Sequence, residues 1–246
     1  MKGVSALLLT ALLLCYACTT AEKVHDTESG THPAQETTAA FKNIKKLDNE
    51  KWLLIFRRID NCRYILFPVD NLQLFSFPYD FLLLHDNVPK TNIDYINIKF
   101  DISYISDIVS EAPDNGEDSE TYGKLINLKR SETDRFKAAG FEKDQEAENF
   151  IMLIKDMARN DEKEYISALI SYPLTVTINK RKIKISDKDD FIKNYHHIFN
   201  KKVKDSLLLQ PLADIQANSK GIMIGSGELW INMVNSRIMI TSVNNI

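Results

Sequence analysis

The sequence predicts an α+β protein with a strand-rich N-terminal domain and a C-terminal domain of helices and antiparallel strands. Three observations support this prediction. Short apolar runs separated by Asp, Asn and Pro occupy the first half of the chain, as is typical of strands joined by turns. Apolar residues at helical spacing begin only near residue 142. Two alternating runs joined by Asn235-Ser236 close the chain and predict an antiparallel pair.

The first residues have the pattern of a secretory signal. Met1 to Ser5 carry one basic residue, and the apolar stretch ALLLTALLLCYA precedes Cys18. This stretch is too short for a membrane-spanning helix, which needs about 20 apolar residues. We therefore interpret residues 1–17 as a signal peptide. Cys15 and Cys18 have CxxC spacing, but no βαβ pattern follows them, which argues against a thioredoxin-type redox pair.

Two cleavage sites are compatible with this leader. Thr19 and Ala21 suit an ordinary signal peptidase that cuts before Glu22. Cleavage there would release a soluble periplasmic or secreted protein. The second site is the bond before Cys18.

The end of the leader resembles the lipobox of bacterial lipoproteins. In that family an aliphatic residue, a small residue and Gly or Ala precede the cysteine that receives the lipid. Ala17 and Cys18 match this pattern, whereas Cys15 and Tyr16 depart from it. The resemblance implies a lipid, palmitate included, on Cys18, and Thr19 after the cysteine implies an outer-membrane lipoprotein that faces the periplasm of the cell envelope.

Residues 18–42 predict a flexible tether. This stretch is rich in Thr, Ala and Glu and has no apolar period, so it cannot bury enough surface to offset its ordering entropy. His25 and His32 fall within it, and we expect them to be solvated.

Composition excludes some partners. The chain has 31 Lys and Arg residues against 34 Asp and Glu residues and a formal charge of −3. This mild acidity argues against a nucleic-acid partner, which requires a basic face. We expect no cofactor and no metal, and we expect Cys62, set among apolar residues, to be a buried free thiol.

The β-rich domain is predicted over residues 43–130. Its expected strands are KWLLIFR, RYILF, LQLFSF, FLLL and IDYINIKFDIS, the last with Ile96, Ile98, Phe100 and Ile102 alternating with polar residues. The acidic stretch SEAPDNGEDSETYG is predicted to be a solvated loop, because the ligand spacing of an EF-hand is missing. His85 ends one of the apolar runs, and the sequence pairs no nucleophile with it.

The second domain is predicted over residues 142–246. Helical spacing predicts one helix over EKDQEAENFIMLIKDMARN, a second from Asp161 and a third over SDKDDFIKNYHHIFNKKVKDSLLLQ. A hairpin lies between the second and third helices. SKGIMIGSGELWINMV and SRIMITSV then predict two long strands, and Gly225 and Gly227 predict a bulge or sharp bend in the first of them.

This second domain resembles the cystatin-like, nuclear-transport-factor-two-like α+β cone of secreted bacterial proteins. The resemblance implies helices packed on a bent antiparallel sheet, with a mouth that holds a small molecule or a protein partner. It is carried by packing residues, so it implies a fold and hardly an activity. These residues are Tyr172-Pro173-Leu174, Phe191, Tyr195, Ile198, Phe199, Gly221–Gly225 and Glu228–Ile231.

Within this resemblance, the candidate ligand-binding residues are Glu228, Trp230 and Asn232. They share one face of a bent strand, and a carboxylate beside an indole would have a raised pKa and serve as an acid or base. Glu228 is therefore the one weak candidate for a catalytic residue. The alternative is that Trp230 packs in the core while Glu228 points to solvent. His196 and His197 are adjacent on a helix, so they cannot hold one metal ion together.

These observations lead to three functional hypotheses. The first is a lipid-anchored envelope protein that acts as a non-enzymatic binding module, with the membrane and a protein of the envelope as its partners. The second is a periplasmic inhibitor or immunity protein against a toxin. The third is a hydrolase or isomerase that works in the cone and uses Glu228.

Overall fold

The computed structural model describes residues 33–85, 88–106, 120–178 and 181–245. These residues belong to one compact unit. The predicted signal peptide, Cys18, His25 and His32 lie outside the described residues, as does most of the acidic stretch after residue 106. Among the described residues, no helix has the length and apolar character required to cross a membrane.

Strands dominate the N-terminal half, as predicted. Its elements are β1 (Gln35–Lys46), β2 (Lys51–Arg58), β3 (Tyr64–Asp70), α1 (Asn71–Ser76), β4 (Leu82–His85), β5 (Val88–Thr91), β6 (Lys99–Ser106) and β7 (Glu120–Arg130). Strand β1 starts at Gln35, so the predicted tether, which extended to residue 42, is wrong from residue 35 onward. Thr37, Ala39 and Phe41 are placed there by antiparallel pairing with β2 and β6, a non-local effect that composition does not report.

Five of these strands close into a barrel in the order β1-β2-β3-β7-β6. Strands β6, β1, β2 and β3 form a Greek key, because β6 returns beside β1 after a long connection. Strand β7 completes the barrel by pairing antiparallel with β6 and parallel with β3. Five-stranded Greek-key barrels are the architecture of OB-folds. This architecture by itself assigns no function.

Aromatic rings fill the barrel. The Phe56 ring lies 5.5 Å from the Phe41 ring and 5.8 Å from the Phe100 ring, in edge-to-face contacts. The Phe81 ring, on the segment before β4, packs 4.7 Å from Phe41. The alternation predicted for Phe100 and Ile102 is confirmed, since both are buried in β6.

The predicted strand LQLFSF is instead the helix α1. Asp70 caps this helix, because its carboxylate accepts a hydrogen bond of 2.7 Å from the backbone N–H of Gln73. Only Leu74 of α1 is buried, whereas Leu72 and Phe75 are 84% and 71% exposed. The apolar run therefore reflected surface residues as well as core residues.

Helices and one mixed sheet form the C-terminal half. Its elements are α2 (Asp144–Arg159), α3 (Lys163–Ala168), β8 (Leu174–Ile178), β9 (Arg181–Ile185), α4 (Lys188–Ile198), α5 (Lys201–Leu209), β10 (Gln216–Asn218), β11 (Gly221–Ile224), β12 (Leu229–Val234) and β13 (Arg237–Asn244). The strand order is β10-β11-β12-β13-β8-β9. All neighbours are antiparallel except β13 and β8, where Val243 pairs with Val176 in parallel.

The predicted α+β class is confirmed, and two local predictions in this half are wrong. The third helix is divided into α4 and α5, because Asn200 starts a new helix by accepting a hydrogen bond of 3.0 Å from the N–H of Val203. The predicted long strand SKGIMIGSGELWINMV is likewise divided, into β11 and β12, and the sharp bend predicted at Gly225 and Gly227 is the turn between them. Both glycines have positive φ, 65° and 106°, which glycine adopts readily.

Candidate functional site

Glu228 lies at the end of the β11–β12 turn, with 8% of its surface exposed. Its Oε2 accepts a hydrogen bond of 2.6 Å from the N–H of Ser226, and its Oε1 lies 3.4 Å from Nζ of Lys202. Burial raises the pKa of Glu228, but the Ser226 N–H and the Lys202 ammonium outweigh it, so the pKa is lowered. The sequence had predicted a raised pKa, and that detail is wrong because the turn supplies hydrogen bonds to the charged carboxylate.

Trp230 and Asn232 share one face of β12, as expected from strand periodicity. They are half-buried and point away from Leu229 and Ile231, which are fully buried in the core. The Asn232 amide donates a hydrogen bond of 2.7 Å to Oγ1 of Thr241. The candidate residues therefore divide between a turn, which holds Glu228, and the face of β12 opposite to the core, which holds the other two.

Other chemistry-bearing residues are at the surface. Cys62 is a free thiol, as expected, but it is exposed rather than buried, because it lies in the β2–β3 turn with φ of 60°. His196 and His197 are exposed on α4. Among the described residues, no group of three His, Cys, Asp or Glu residues is placed to hold a metal ion.

A different site lies where the barrel meets α2. A cavity of about 380 Å³ opens there, and we call it the junction pocket. Its charged lining residues are Lys99, Arg130, Arg135, Asp144 and Glu148. Strands β6 and β7 supply the first two, the segment after β7 supplies Arg135, and the first turns of α2 supply the two carboxylates.

A buried carboxylate between two guanidiniums forms the back of this pocket. Glu148 is 2% exposed, and its Oε2 lies 2.5 Å from Nη2 of Arg130, which is 8% exposed. Nη2 of Arg135 donates a hydrogen bond to the other oxygen, Oε1. The Arg135 guanidinium also donates from Nη1 to the carbonyl of Leu212, 2.7 Å away. Its carbon Cζ stacks 4.4 Å from the centre of the Phe136 ring.

Asp144 fixes the segment that carries Arg135. Its Oδ2 accepts hydrogen bonds from the N–H of Thr133 at 2.9 Å and from the Thr133 hydroxyl at 2.5 Å, and its Oδ1 accepts one of 3.0 Å from the N–H of Phe136. Burial raises the pKa of Asp144, but these hydrogen bonds outweigh burial and lower it. Asp144 is therefore a charged positioning residue with both oxygens committed.

Glu148 has the opposite electrostatic balance. Burial raises its pKa to about 7, even though Arg130 and Arg135 act to lower it. Asp144 and Glu132 add to the increase through like-charge repulsion. Burial likewise lowers the pKa of Arg135, against the attraction of Glu148 and Asp144. Glu148 is thus the group in this site whose protonation changes near neutral pH.

Hydrogen bonding at the pocket is incomplete. Three buried atoms have no hydrogen-bond partner in the described part of the chain: Nη2 of Arg130, Nε of Arg135 and Oε2 of Glu148. The short Arg130–Glu148 contact is thus an ion pair without hydrogen-bond geometry. Buried polar groups are normally satisfied, so a cluster of such atoms identifies a site that favours an additional polar partner.

A second buried ion pair lies nearby. Lys155 of α2 is 1% exposed and contacts Asp94, in the turn before β6. Its Nζ also donates a hydrogen bond of 2.6 Å to the carbonyl of Gln210, after α5. Burial lowers the pKa of Lys155, partly offset by Asp94. Like the Arg130–Glu148 contact, this pair connects the barrel half to α2.

A second cavity, of about 410 Å³, lies on the outer face of the barrel. Glu36, Asp101 and Lys129 line it from three neighbouring strands, and all three are exposed. Oδ1 of Asp101 accepts hydrogen bonds of 2.8 Å from Thr38 and 2.6 Å from Ser131. Short polar residues in register are ordinary for a solvated sheet face, so the junction pocket is the stronger candidate.

The sequence of α2 contained evidence for the junction pocket, because charged residues lie among the apolar residues of its buried stripe. Asp144, Glu148 and Lys155 occupy the same α2 stripe as the buried apolar residues Ala147, Ile151, Ile154 and Ala158. Charged side chains on the inward stripe of an amphipathic helix require partners. Their spacing alone does not identify those partners, which come from β7, the following segment and the turn before β6.

Comparisons with protein-family models, curated proteins and solved structures found no match to this chain.

Proposed function

We propose that this protein is a lipid-anchored binding protein of the bacterial cell envelope that holds a small polar ligand in the junction pocket. The observation that supports this function is the set of buried, incompletely hydrogen-bonded charged side chains around a cavity of about 380 Å³. Ligand pockets commonly measure about 300–1,000 Å³ and contain a few convergent polar groups.

The finer fold assignment is part of the same proposal. We propose that the C-terminal half is a cystatin-like cone. The order of two helices, a hairpin, two further helices and the four strands β10 to β13 supports it, as does the pairing of hairpin strand β8 with the last strand, β13. The pocket that we propose for the ligand lies at the first turns of α2, outside the Glu228–Trp230–Asn232 region.

Ligand binding can be tested without knowing the ligand. Purified protein is dialysed against a small-molecule extract of the cell envelope, and retained compounds are identified by mass spectrometry. We expect the wild type to retain a compound that Arg130→Gln loses. Arg159→Gln, an exposed arginine at the end of α2, is the matched control and should behave like the wild type. Equal retention by wild type and Arg130→Gln, or retention of nothing, would contradict the proposal.

The anchoring part of the proposal concerns Cys18. We expect Cys18→Ala to leave the membrane fraction and to lose the mass of the acyl chains at its N-terminus. Cys62→Ala is the matched control, because Cys62 lies in the exposed β2–β3 turn, outside the lipobox-like segment. Membrane fractionation unchanged in Cys18→Ala would refute lipid attachment and favour the alternative of ordinary secretion.

One observation favours the inhibitor or immunity alternative as a second candidate. Leu72 and Phe75 lie three residues apart on α1 and expose 84% and 71% of their surface. Contiguous exposed apolar patches mark protein-binding surfaces, and we propose that these two side chains belong to one. If a toxin is the partner, a stoichiometric complex with the wild type should be lost in the Leu72→Ser/Phe75→Ser double variant. Capture that is independent of both residues would argue against this candidate.

The enzyme alternative has weaker support. It depends on Glu228 as an acid or base, and the lowered pKa of Glu228 leaves that carboxylate charged and paired at neutral pH. A general acid requires a pKa near the working pH.

A further inference from the structure

We propose that the junction pocket binds a small oxyanion, the carboxylate or phosphate group of a ligand, which replaces Glu148 on the guanidiniums of Arg130 and Arg135 while Glu148 takes up one proton from solvent. This inference rests on the proposed function, because it names the ligand class and the regulation of the same pocket.

The guanidiniums supply the recognition chemistry. Arginine donates five N–H bonds in a planar fork, and the edge formed by Nε and one terminal nitrogen fits an oxyanion with two parallel hydrogen bonds. On Arg135, Nη1 is committed to the carbonyl of Leu212, whereas Nε is buried without a partner in the described residues. Its Nη2 is held by Glu148. An oxyanion that displaces Glu148 therefore gains the complete Nε–Nη2 edge.

Arg130 adds a second donor, at the other carboxylate oxygen of Glu148. It is more than nine-tenths buried, it lines the pocket, and its Nη2 contacts Glu148 at 2.5 Å without hydrogen-bond geometry. A buried ion pair repays its desolvation cost only when its geometry is good and its other hydrogen-bonding groups are satisfied. The Glu148 carboxylate is thus an imperfect partner for these two donors and can be exchanged.

The charges around the pocket explain why exchange requires a proton. The groups that face Glu148 or line the pocket are Lys99 from β6, Arg130 from β7, Glu132 and Arg135 from the following segment, and Asp144 from α2. With Glu148 ionised, positive and negative charges balance. An added anion would then be repelled by Glu148, whereas proton uptake by Glu148 removes that negative charge.

Glu148 is the carboxylate of this pocket that can take up a proton without loss of local structure. Both oxygens of Asp144 accept hydrogen bonds from Thr133 and Phe136, and Glu132 accepts one of 3.1 Å from the N–H of Asp144. These bonds maintain the segment that carries Arg135. Protonating Asp144 or Glu132 would weaken that segment, while protonating Glu148 releases the donors that the ligand needs.

The experiment is calorimetric titration of the full chain with acetate and with sulfate at about pH 6 and about pH 8, in buffers of different ionisation enthalpy. Neither probe changes charge over this range. Sulfate reproduces the tetrahedral shape of phosphate, and acetate reproduces a carboxylate, so the two arms distinguish the ligand classes. We expect one of the two probes to bind. At the higher pH its affinity should be weaker, and binding should be accompanied by uptake of about one proton by the protein. Above the pKa of Glu148, linkage limits the loss of affinity to about tenfold per pH unit.

Three variants make the test specific. Glu148→Gln should bind the same probe with no proton uptake and with equal affinity at both pH values. Glu146→Gln, exposed two residues earlier on α2, should behave like the wild type. Arg135→Lys keeps the positive charge but lacks the planar fork, so it should lose at least tenfold in affinity. If Glu148→Gln does not fold, the affinity of Arg135→Lys and the pH dependence of wild-type binding still test the inference.

Binding of neither probe by the wild type would overturn the inference, and so would wild-type binding with no proton uptake and no pH dependence. Both results can be separated from failure of the proposed function. If the wild type retains a neutral compound in the dialysis experiment and Arg130→Gln does not, the proposed binding function is supported. The inference that the ligand is an oxyanion is then refuted. Retention of no compound, with neither probe bound, would remove both.

Discussion

Oε2 of Glu148 lies 2.5 Å from Nη2 of Arg130, and this buried contact joins the first helix of the C-terminal half to the last strand of the barrel. The buried apolar residues of both halves also form one continuous core. An ion pair in this position adds little net stability compared with apolar residues, but removal of one partner leaves a buried charge. The contact therefore makes the relation between the halves sensitive to the charge state of Glu148.

We expect the free energy of unfolding to depend on pH through Glu148. Its pKa is raised to about 7 in the folded protein from an ordinary value of 4.5, so the folded state binds more protons than the unfolded state between these values. The contribution of Glu148 to stability therefore falls as pH rises from 4.5 to about 7 and is constant above that. The full effect is about 3 kcal/mol.

Urea unfolding of wild type and Glu148→Gln across this pH range measures the effect. The variant should lack this part of the pH dependence, while Glu146→Gln on the exposed face of α2 should retain it. The same slope in wild type and Glu148→Gln would mean that another group causes it.

Replacing Lys155 should be strongly destabilising. Lys155→Met leaves the Asp94 carboxylate nearly buried and without its cation, which costs about 3–5 kcal/mol. The double change Lys155→Met/Asp94→Asn should recover a large part of this loss, because no charge is then left unpaired. Chemical denaturation of the single and double variants measures both effects.

The exposed pair of Arg159 and Asp156 on the same helix is the control for that prediction. Arg159→Met should change the free energy of unfolding by about 1 kcal/mol or less, because solvent screens a surface ion pair. Similar losses for Lys155→Met and Arg159→Met would show that the buried pair has no special role.

Apolar periodicity correctly predicted the strands and helices that bury one face in the core. Phe100 and Ile102 in β6, the buried stripe of α2 and the Asn235-Ser236 turn are examples. It failed where a local hydrogen bond changes the element, as when Asp70 caps α1 and Asn200 begins α5. A short apolar run does not distinguish a buried strand from a helix such as α1, which buries Leu74 but exposes Leu72 and Phe75.

The candidate site was less predictable because its residues are distant in sequence. Arg130 and Glu148 are brought together by the end of a barrel strand and the second turn of a helix, and nothing in either segment specifies the other. Glu228 and Trp230 were chosen by strand spacing, but the turn that precedes β12 removes Glu228 from the strand. Tertiary packing, rather than propensity, determines which charges meet.

Cys62 should react with thiol reagents in the folded protein. It is exposed in the β2–β3 turn, so alkylation requires no unfolding. Peptide mass spectrometry after a short treatment with iodoacetamide in native buffer should find the label on Cys62. Alkylation of Cys62 only after denaturant is added would show that the turn is covered.

Substitutions within α1 should have different effects on stability at buried and at exposed positions. Leu74→Ala should cost about 2–5 kcal/mol, because Leu74 is 4% exposed and its removal leaves a cavity. Leu72→Ser and Phe75→Ser should each change stability by about 0.5 kcal/mol or less, because these side chains already contact solvent. Thermal unfolding of the three variants measures the difference. A large loss in Leu72→Ser or Phe75→Ser would mean that the exposed pair is packed against something.

Glu228 should titrate below its ordinary value of 4.5, because hydrogen bonds from Ser226 and the Lys202 ammonium outweigh burial. Its lowered pKa means that its stabilising contribution is present above 4.5 and is lost as pH falls through the folded-state value. A carbon-detected NMR titration can follow the carboxyl resonance that disappears in Glu228→Gln. A midpoint above 4.5 would restore Glu228 as a candidate acid, since a carboxyl that holds its proton more tightly can donate it nearer to neutral pH.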